Sequence, residues 1–425
     1  MSGKIRPIFF NGKFYAGGLN GVHRVADRLI REVDRRLAEM PAGERPEATL
    51  LVPSNRQWEP KLKTIKMVEE ARGDSQFWEQ FILPRRARGG LLINLCNLAP
   101  VLHPRKLLMI HDAQFLLPDN SYPMRLRWGY RLLTPLMART SRRVLTVSAY
   151  SRRMLDICGI SPRGSTDVLY NGADHILDVA ADPSVITRLG LRPRRFVLHI
   201  ASAKAYKNTA MIFAAFEDPR LADIDLVLVG PGREQLTRQG LEPPARAVFA
   251  GSVDDGGLRA LYESALCLAC PSRTEGFGLP PIEAMACGCP AVVSAGGAIP
   301  EVCRDAASYA DVDDPVTWVA AFAALAAHPE LRAAKVRAGL DRAATLTWDE
   351  SGRRLTAIIL NAARSSRRLE PPKLVVAPTA AAGEPQTQAS SPGSSLSDPN
   401  TVEITECWEQ DLPRRRAGVG AFDRP

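Results

Sequence analysis

The chain has 425 residues, 45% of them hydrophobic, and a formal net charge of +9. That is too long for one comfortable core and suits two domains of ordinary size. No run reaches the roughly 18 apolar residues of a spanning helix, the start MSGKIRPIFFNGKFY reads as carrying no signal peptide, and a cytoplasmic location is expected.

Residues 1–180 alternate strand-like and helix-like stretches. PIFF is followed by a glycine-rich loop, AGGLNGV, and by a helix over HRVADRLIREVDRRL with Val25, Leu29, Ile30 and Val33 on one face. TLLV, LLINL, LLMI and RVLTVS then have the length of buried parallel strands. A second alternation fills residues 181–345. RFVLHIAS, IDLVLVG, ARAVFAG, ALCLACP and PAVVS read as strands, with NTAMIFAAF, GLRALYESA and PPIEAMAC as helices between them. The expected architecture is α/β: two Rossmann-like doubly wound domains facing across a cleft, with ligand at the carboxyl ends of the strands. The boundary falls near Asp178–Pro193. Residues 346–364 form a last helix, capped by Asp349 or Ser351, that returns to the first domain. Residues 365–425, rich in Pro, Ala, Ser and Gly, are expected to be disordered.

Eight cysteines are irregularly spaced. Cys267 and Cys270 have CxxC spacing but lie in an apolar strand with no second pair nearby, so buried thiols are expected rather than a metal site. The positive charge is compatible with phosphate-bearing substrates or an anionic membrane surface. No basic tract interleaved with aromatics points to nucleic acid.

The most informative stretch is ACPSRTEGFGLPPIEAMACGCPAVVS. A buried strand runs into a loop holding Glu275, Gly276, Phe277 and Gly278. Pro280 and Pro281 then suit the first turn of a helix, where a missing N–H costs nothing, and Glu283 is expected in that first turn. A strand, glycine loop and helix in this order present free amides and a positive dipole end to an anion. Glu275 and Glu283 flank it as acceptors for sugar hydroxyls.

EGFGLPPIE resembles the E-x7-E motif of family 4 retaining glycosyltransferases, and the likeness extends over most of residues 15–363. The resemblance implies the GT-B fold and transfer of a hexose, mannose favoured, from a nucleotide-diphosphate sugar to a saccharide or lipid-linked acceptor. It implies no cofactor and no metal. It puts Glu275 at the donor sugar, Glu283 on the ribose, and the amides of Phe277, Gly278 and Leu279 on sugar and phosphate. His111, in IHDAQFLLPD, is expected against the sugar, and Lys207 on the diphosphate. Where relatives carry an arginine this chain has Ser202 and Tyr206, so either Lys204 compensates or phosphate binding is weaker. Gly21 would let backbone meet the donor phosphate or the acceptor, and the backbone of Val253 would contact the base. Arg24 reads equally as an acceptor-phosphate ligand and as part of a solvated face. Glu301 reads as a helix-start acid. MRLRWGYRLLTPLMARTSRR either lies on anionic lipid or packs its apolar side inward. The competing readings are a UDP-sugar-using glucosyltransferase and a GT-B scaffold without turnover.

Overall fold

The structure, a computed structural model, describes residues 5–73, 75–114 and 124–364, with residues 124–128 as backbone only. The expected disordered tail, residues 365–425 with Cys407, lies outside the described residues, as does most of QFLLPD.

The first alternation folds into a seven-stranded sheet. Its strands are β1 Ile8–Asn11, β2 Ala48–Pro53, β3 Lys66–Glu70, β4 Leu91–Asn94, β5 Lys106–Met109, β6 Arg143–Thr146 and β7 Thr166–Val168. Their order is β3-β2-β1-β4-β5-β6-β7, with every pair parallel. The second alternation forms a six-stranded parallel sheet in the order β10-β9-β8-β11-β12-β13. Here β8 is Phe196–Ile200, β9 Asp225–Val229, β10 Val248–Gly251, β11 Cys267–Cys270, β12 Ala291–Val293 and β13 Ser308–Tyr309. Most of the apolar runs became central strands because both faces are covered by helices, while VFAG forms the edge strand β10. Edge strands β3, β7 and β13 carry no such run. KMVEE is largely exposed, and its charge protects an open edge from further pairing.

The helix Gly21–Glu39 buries Val25, Ala26, Leu29, Ile30, Val33 and Leu37, and Asn20 caps it by accepting from the His23 amide at 3.0 Å. Against it lies the final helix, Trp348–Arg364, which comes back to the first sheet after the second is complete. Its start corrects the expected caps. Thr347 Oγ1 accepts from the Glu350 amide at 3.3 Å, and Asp174 Oδ1 accepts from the Trp348 amide at 2.8 Å. Asp349 instead pairs with Arg35 and Arg36 of the first helix.

Glu301 is also employed differently from expectation. It lies in the first turn of Ile299–Cys303, but its carboxylate caps the helix Ala149–Ile157 of the other sheet. It accepts from the amides of Ala149 at 2.7 Å and Tyr150 at 2.9 Å, and from the Tyr170 hydroxyl at 2.6 Å. A carboxylate at a helix N-terminus is favourably placed in the dipole field, and here that interaction joins the two halves.

Cys267, Cys270, Cys289 and Cys303 are buried, and burial pushes their thiols up, as expected for structural cysteines. Cys287 is half-buried. Among the described residues no helix is long and apolar enough to cross a membrane. On the helix Met124–Thr140, Met137 and Ala138 face inward, while Leu132, Leu133 and Leu136 are exposed between exposed Arg131 and Arg139.

Candidate active site

A cavity of about 980 Å³ opens between the carboxyl ends of the two sheets. Its wall includes Gly21, His111, Lys204, Lys207, Glu275, Phe277, Gly278, Leu279 and Glu283. Residues far apart in the sequence are thus gathered in one crevice. Ser202 and Val253 are not on this wall. Ser202 closes its loop onto the next helix, its amide donating to Thr209 Oγ1 at 3.2 Å and its carbonyl accepting from the Thr209 hydroxyl at 2.7 Å. Val253 packs on the core of the second sheet.

Glu275 leaves the loop after β11 and is 8% exposed. Its Oε1 accepts from Lys207 Nζ at 2.6 Å and from Ser272 Oγ at 2.6 Å. Lys207 ends a short 3-10 turn, Ala205–Lys207, after β8. Burial would lower the Lys207 ammonium, but the Glu275 charge outweighs it and holds the group well above its ordinary value. Lysine 207 is therefore a fixed positive charge at the floor of the cavity.

The helix Leu279–Ala286 starts beside this pair. Gly278, at φ +89°, precedes it and no side chain caps it. Pro280 and Pro281 remove two amides, so the donors available here are those of the loop through Leu279 rather than of the prolines. Glu283 lies past the first turn, which corrects the expectation that it stands within it. Its carboxylate turns back to the other elements: Oε2 accepts from the Tyr262 hydroxyl at 3.2 Å, and Oε1 lies 3.0 Å from His175 Nε2. His175 Nδ1 accepts from Trp348 Nε1 at 3.0 Å, which leaves the imidazole proton on Nε2, facing Glu283. The returning C-terminal helix thereby places an imidazole beside a carboxylate of the second sheet.

His111 sits at the end of β5, 5% exposed. Its Nε2 is 2.8 Å from the Leu95 carbonyl and its amide donates to Asn97 Oδ1 at 2.8 Å. Burial lowers its imidazole to about 4, so the ring is neutral with the proton on Nε2. Its backbone carbonyl accepts from Ser151 Oγ at 3.0 Å, and the same hydroxyl reaches the Gly276 carbonyl at 3.1 Å. A Cβ at Gly276 would lie 3.0 Å from that His111 carbonyl, so a larger residue would push the two loops apart by a few tenths of an ångström.

The neutral ring has a consequence for stability. Between pH about 6.5 and 4 the unfolded chain binds a proton at His111 that the folded chain refuses, so acid favours unfolding. Buried His199, also lowered to about 4 by burial, acts in the same direction. Each contributes a slope of roughly 1.4 kcal/mol per pH unit in that window. Urea midpoints measured from pH 7 to 4.5 should fall, and the fall should be shallower in His111→Gln. An identical slope in the variant would contradict the assignment.

Several site residues have partners that the sequence left open or did not show. Arg24 makes a two-pronged pair with Asp255 across the cleft, at 2.7 and 2.7 Å, and is neither a solvated residue nor a free anion ligand. His175 stands directly after NGAD, but nothing in its spacing ties it to Glu283. Asn171, in that same motif, is 3% exposed on the cavity wall with its Oδ1 unpartnered. Asn11, Lys13 and Glu79 form a further polar group on the wall.

Residues 188–341 match the family described as "Glycosyl transferases group 1". The chain is 29% identical over 240 residues to a D-inositol 3-phosphate glycosyltransferase of Segniliparus rotundus, covering 52% of each protein. It is 30% identical over 207 residues to the MMP alpha-(1->4)-mannosyltransferase of Mycolicibacterium hassiacum, covering 44% of this chain and 49% of that protein. The chain thus spans about half the length of these curated relatives. Anabaena Alr3699/HepE, solved in complex with UDP and glucose, superposes with a TM-score of 0.62 at 17% identity, covering 84% of this chain and 100% of that one. The likeness to HepE is one of fold.

Proposed function

We propose that this chain, whose residues 188–341 match the group 1 glycosyl transferases and whose two sheets have the GT-B fold, transfers a hexose from a nucleotide-diphosphate sugar to a saccharide or lipid-linked acceptor with retention. The observation that carries this reading is the grouping of Lys207, Glu275 and Glu283 around an uncapped helix start inside the intersheet cavity. Loop amides and the Lys207 ammonium would bind the diphosphate and stabilise its growing charge as the sugar departs. Glu275 Oε1 is taken by Lys207 and Ser272, and Oε2 is the atom for a sugar hydroxyl. Glu283, held by Tyr262 and His175, would take the ribose. Neutral His111 would lie against the sugar. With no second carboxylate required as nucleophile, the leaving phosphate oxygen would itself accept the acceptor's proton on the same face. The protein then supplies position and electrostatics.

Mannose is the favoured sugar, in line with the relative named as a mannosyltransferase, and GDP-mannose the favoured donor. A UDP-sugar is the runner-up, in line with the complex of HepE. A scaffold without turnover draws support from Ser202 standing where relatives have an arginine. The exposed leucines and arginines of Met124–Thr140 fit a peripheral contact with an anionic membrane, which co-sedimentation with phosphatidylglycerol vesicles tests.

A thermal-shift panel of GDP-, UDP- and ADP-sugars tests the reading. A matching donor at a hundredfold its Kd should stabilise the fold by about 2.7 kcal/mol, and release of nucleoside diphosphate separates an enzyme from a scaffold. Turnover should persist in excess chelator, since Lys207 and the helix start would supply the positive charge. No stabilisation by any nucleotide sugar would overturn the reading, and a strict metal requirement would overturn its metal independence.

A further inference from the structure

Arg24 stands in the opening turn of the helix Gly21–Glu39, where the positive end of the helix dipole disfavours a cation and no acidic residue offsets it. What holds a guanidinium there lies outside its own helix. Arg24 reaches Asp255, in the first turn of the helix Asp255–Ser264 on the second sheet, with Nη1 donating to Oδ2 and Nη2 to Oδ1, each at 2.7 Å. This two-pronged, charge-assisted geometry is the strong form of such a pair. Burial would lower the Arg24 guanidinium, but Asp255, and beyond it Glu283, hold it above its ordinary value, so the pair stays ionised and runs close to Glu283.

Arg24, Asp255 and Glu283 share the cavity wall. A Cβ at Gly21 would lie 4.0 Å from Leu279 Cδ1, so the turn that carries Arg24 packs directly on the loop proposed for the diphosphate. Other bonds between the two halves are of a different kind. Gln114 Nε2 donates to the Thr274 carbonyl at 3.3 Å and Ser148 Oγ to the Gly276 carbonyl at 2.7 Å, both buried and uncharged. The Arg24 and Asp255 side chains are 20% and 27% exposed, so water can replace each partner when the pair parts. An ion pair that water reaches contributes little to stability, but it can open and shut at small cost.

We propose that Arg24 and Asp255 form a strap across the cleft that must part to admit and release the nucleotide. The proposal rests on the glycosyl-transfer reading above and adds a control of passage to it. The strap is shut both before entry and over the bound nucleotide. It therefore raises the barrier to entry and to exit alike, and leaves the balance between free and bound protein unchanged, because a contact made equally in two states shifts neither.

The test uses the full chain and whichever of GDP, UDP and ADP stabilises it most, with rate constants read by surface plasmon resonance. Arg24→Met and Asp255→Ala should each raise the association and dissociation rate constants together by about fivefold, the upper end for an ion pair that water reaches, with Kd changed by less than about twofold. The double variant should go no further than either single one. If Arg24 instead held the nucleotide, Arg24→Met would slow association and weaken binding, while Asp255→Ala would free the guanidinium and tighten it. That opposite pattern, or unchanged rate constants in both folded variants, would overturn the strap. Urea unfolding of the same four proteins without nucleotide is the second arm. The loss in the double variant should be smaller than the sum of the two single losses, and strict additivity would overturn the strap by itself. Failure of every nucleoside diphosphate to bind would count against the glycosyl-transfer reading and remove the control of passage with it, whereas coupling in urea with unchanged rate constants would remove that control alone.

Discussion

Glu275→Ala should lower kcat by roughly 10²–10³ at saturating donor, the scale seen when one preorganised electrostatic contact is removed from a reacting centre. Two functions would be lost together. The carboxylate lines the cavity where the proposed donor sugar would lie, and it holds Lys207 Nζ at 2.6 Å. Without it the ammonium is free to swing, and the charge proposed to meet the leaving diphosphate would lose its position. The fold should survive. The Lys207 side chain is 26% exposed, so water can reach its freed ammonium through the cavity. Glu275→Gln keeps the shape but not the charge, and it should fall between wild type and alanine. Steady-state kinetics with a urea midpoint for each variant checks the prediction. A kcat within about twofold of wild type in the alanine variant would remove Glu275 from the mechanism.

Gly297→Ala should do the opposite: it should unfold the protein more easily, by about 2–5 kcal/mol, and lower activity as a consequence. Gly297 has φ +67°, a conformation that costs a residue with Cβ roughly 1–2 kcal/mol. The added Cβ would also lie 2.4 Å from the Glu275 carbonyl and 2.5 Å from its amide nitrogen. Those are backbone atoms, held in place by the bond from the Ala298 amide to the Glu275 carbonyl at 2.9 Å, so relief requires moving the catalytic loop. Overpacking of this kind adds about 1–3 kcal/mol. Urea unfolding measures the loss directly, and an unchanged midpoint would contradict the close approach. Glu275 and Gly297 thus separate two kinds of damage at one loop, chemistry without instability and instability that disables the chemistry.

The site was partly legible because its central motif is local. Glu275 through Glu283 occupy one strand–loop–helix unit, and glycine, proline and carboxylate spacing within such a unit has a direct geometric meaning. Lys207 and His111 were legible for a related reason, since both directly follow strand-like runs and strand ends face the crevice. Arg24 and Asp255 belong to different sheets, and either alone reads as a surface charge. The same holds for Glu301, whose position at a helix start was read correctly while the helix it caps was not. The roles expected of Ser202 and of the Val253 backbone rested on resemblance alone, and neither residue lines the cavity.

By itself, the sequence determined the two parallel sheets, since apolar runs long enough for doubly covered strands admit few other packings. It also determined the donor motif, whose parts lie within a dozen residues. Only the tertiary structure decided which polar groups meet across the cleft. It set Trp348 behind His175, His175 beside Glu283, and Glu79 against Lys13 and Asn11. The reason is physical. Periodicity records which face of an element is buried, whereas the partner of a buried charge is chosen by the packing of elements that the chain brings together only at the end.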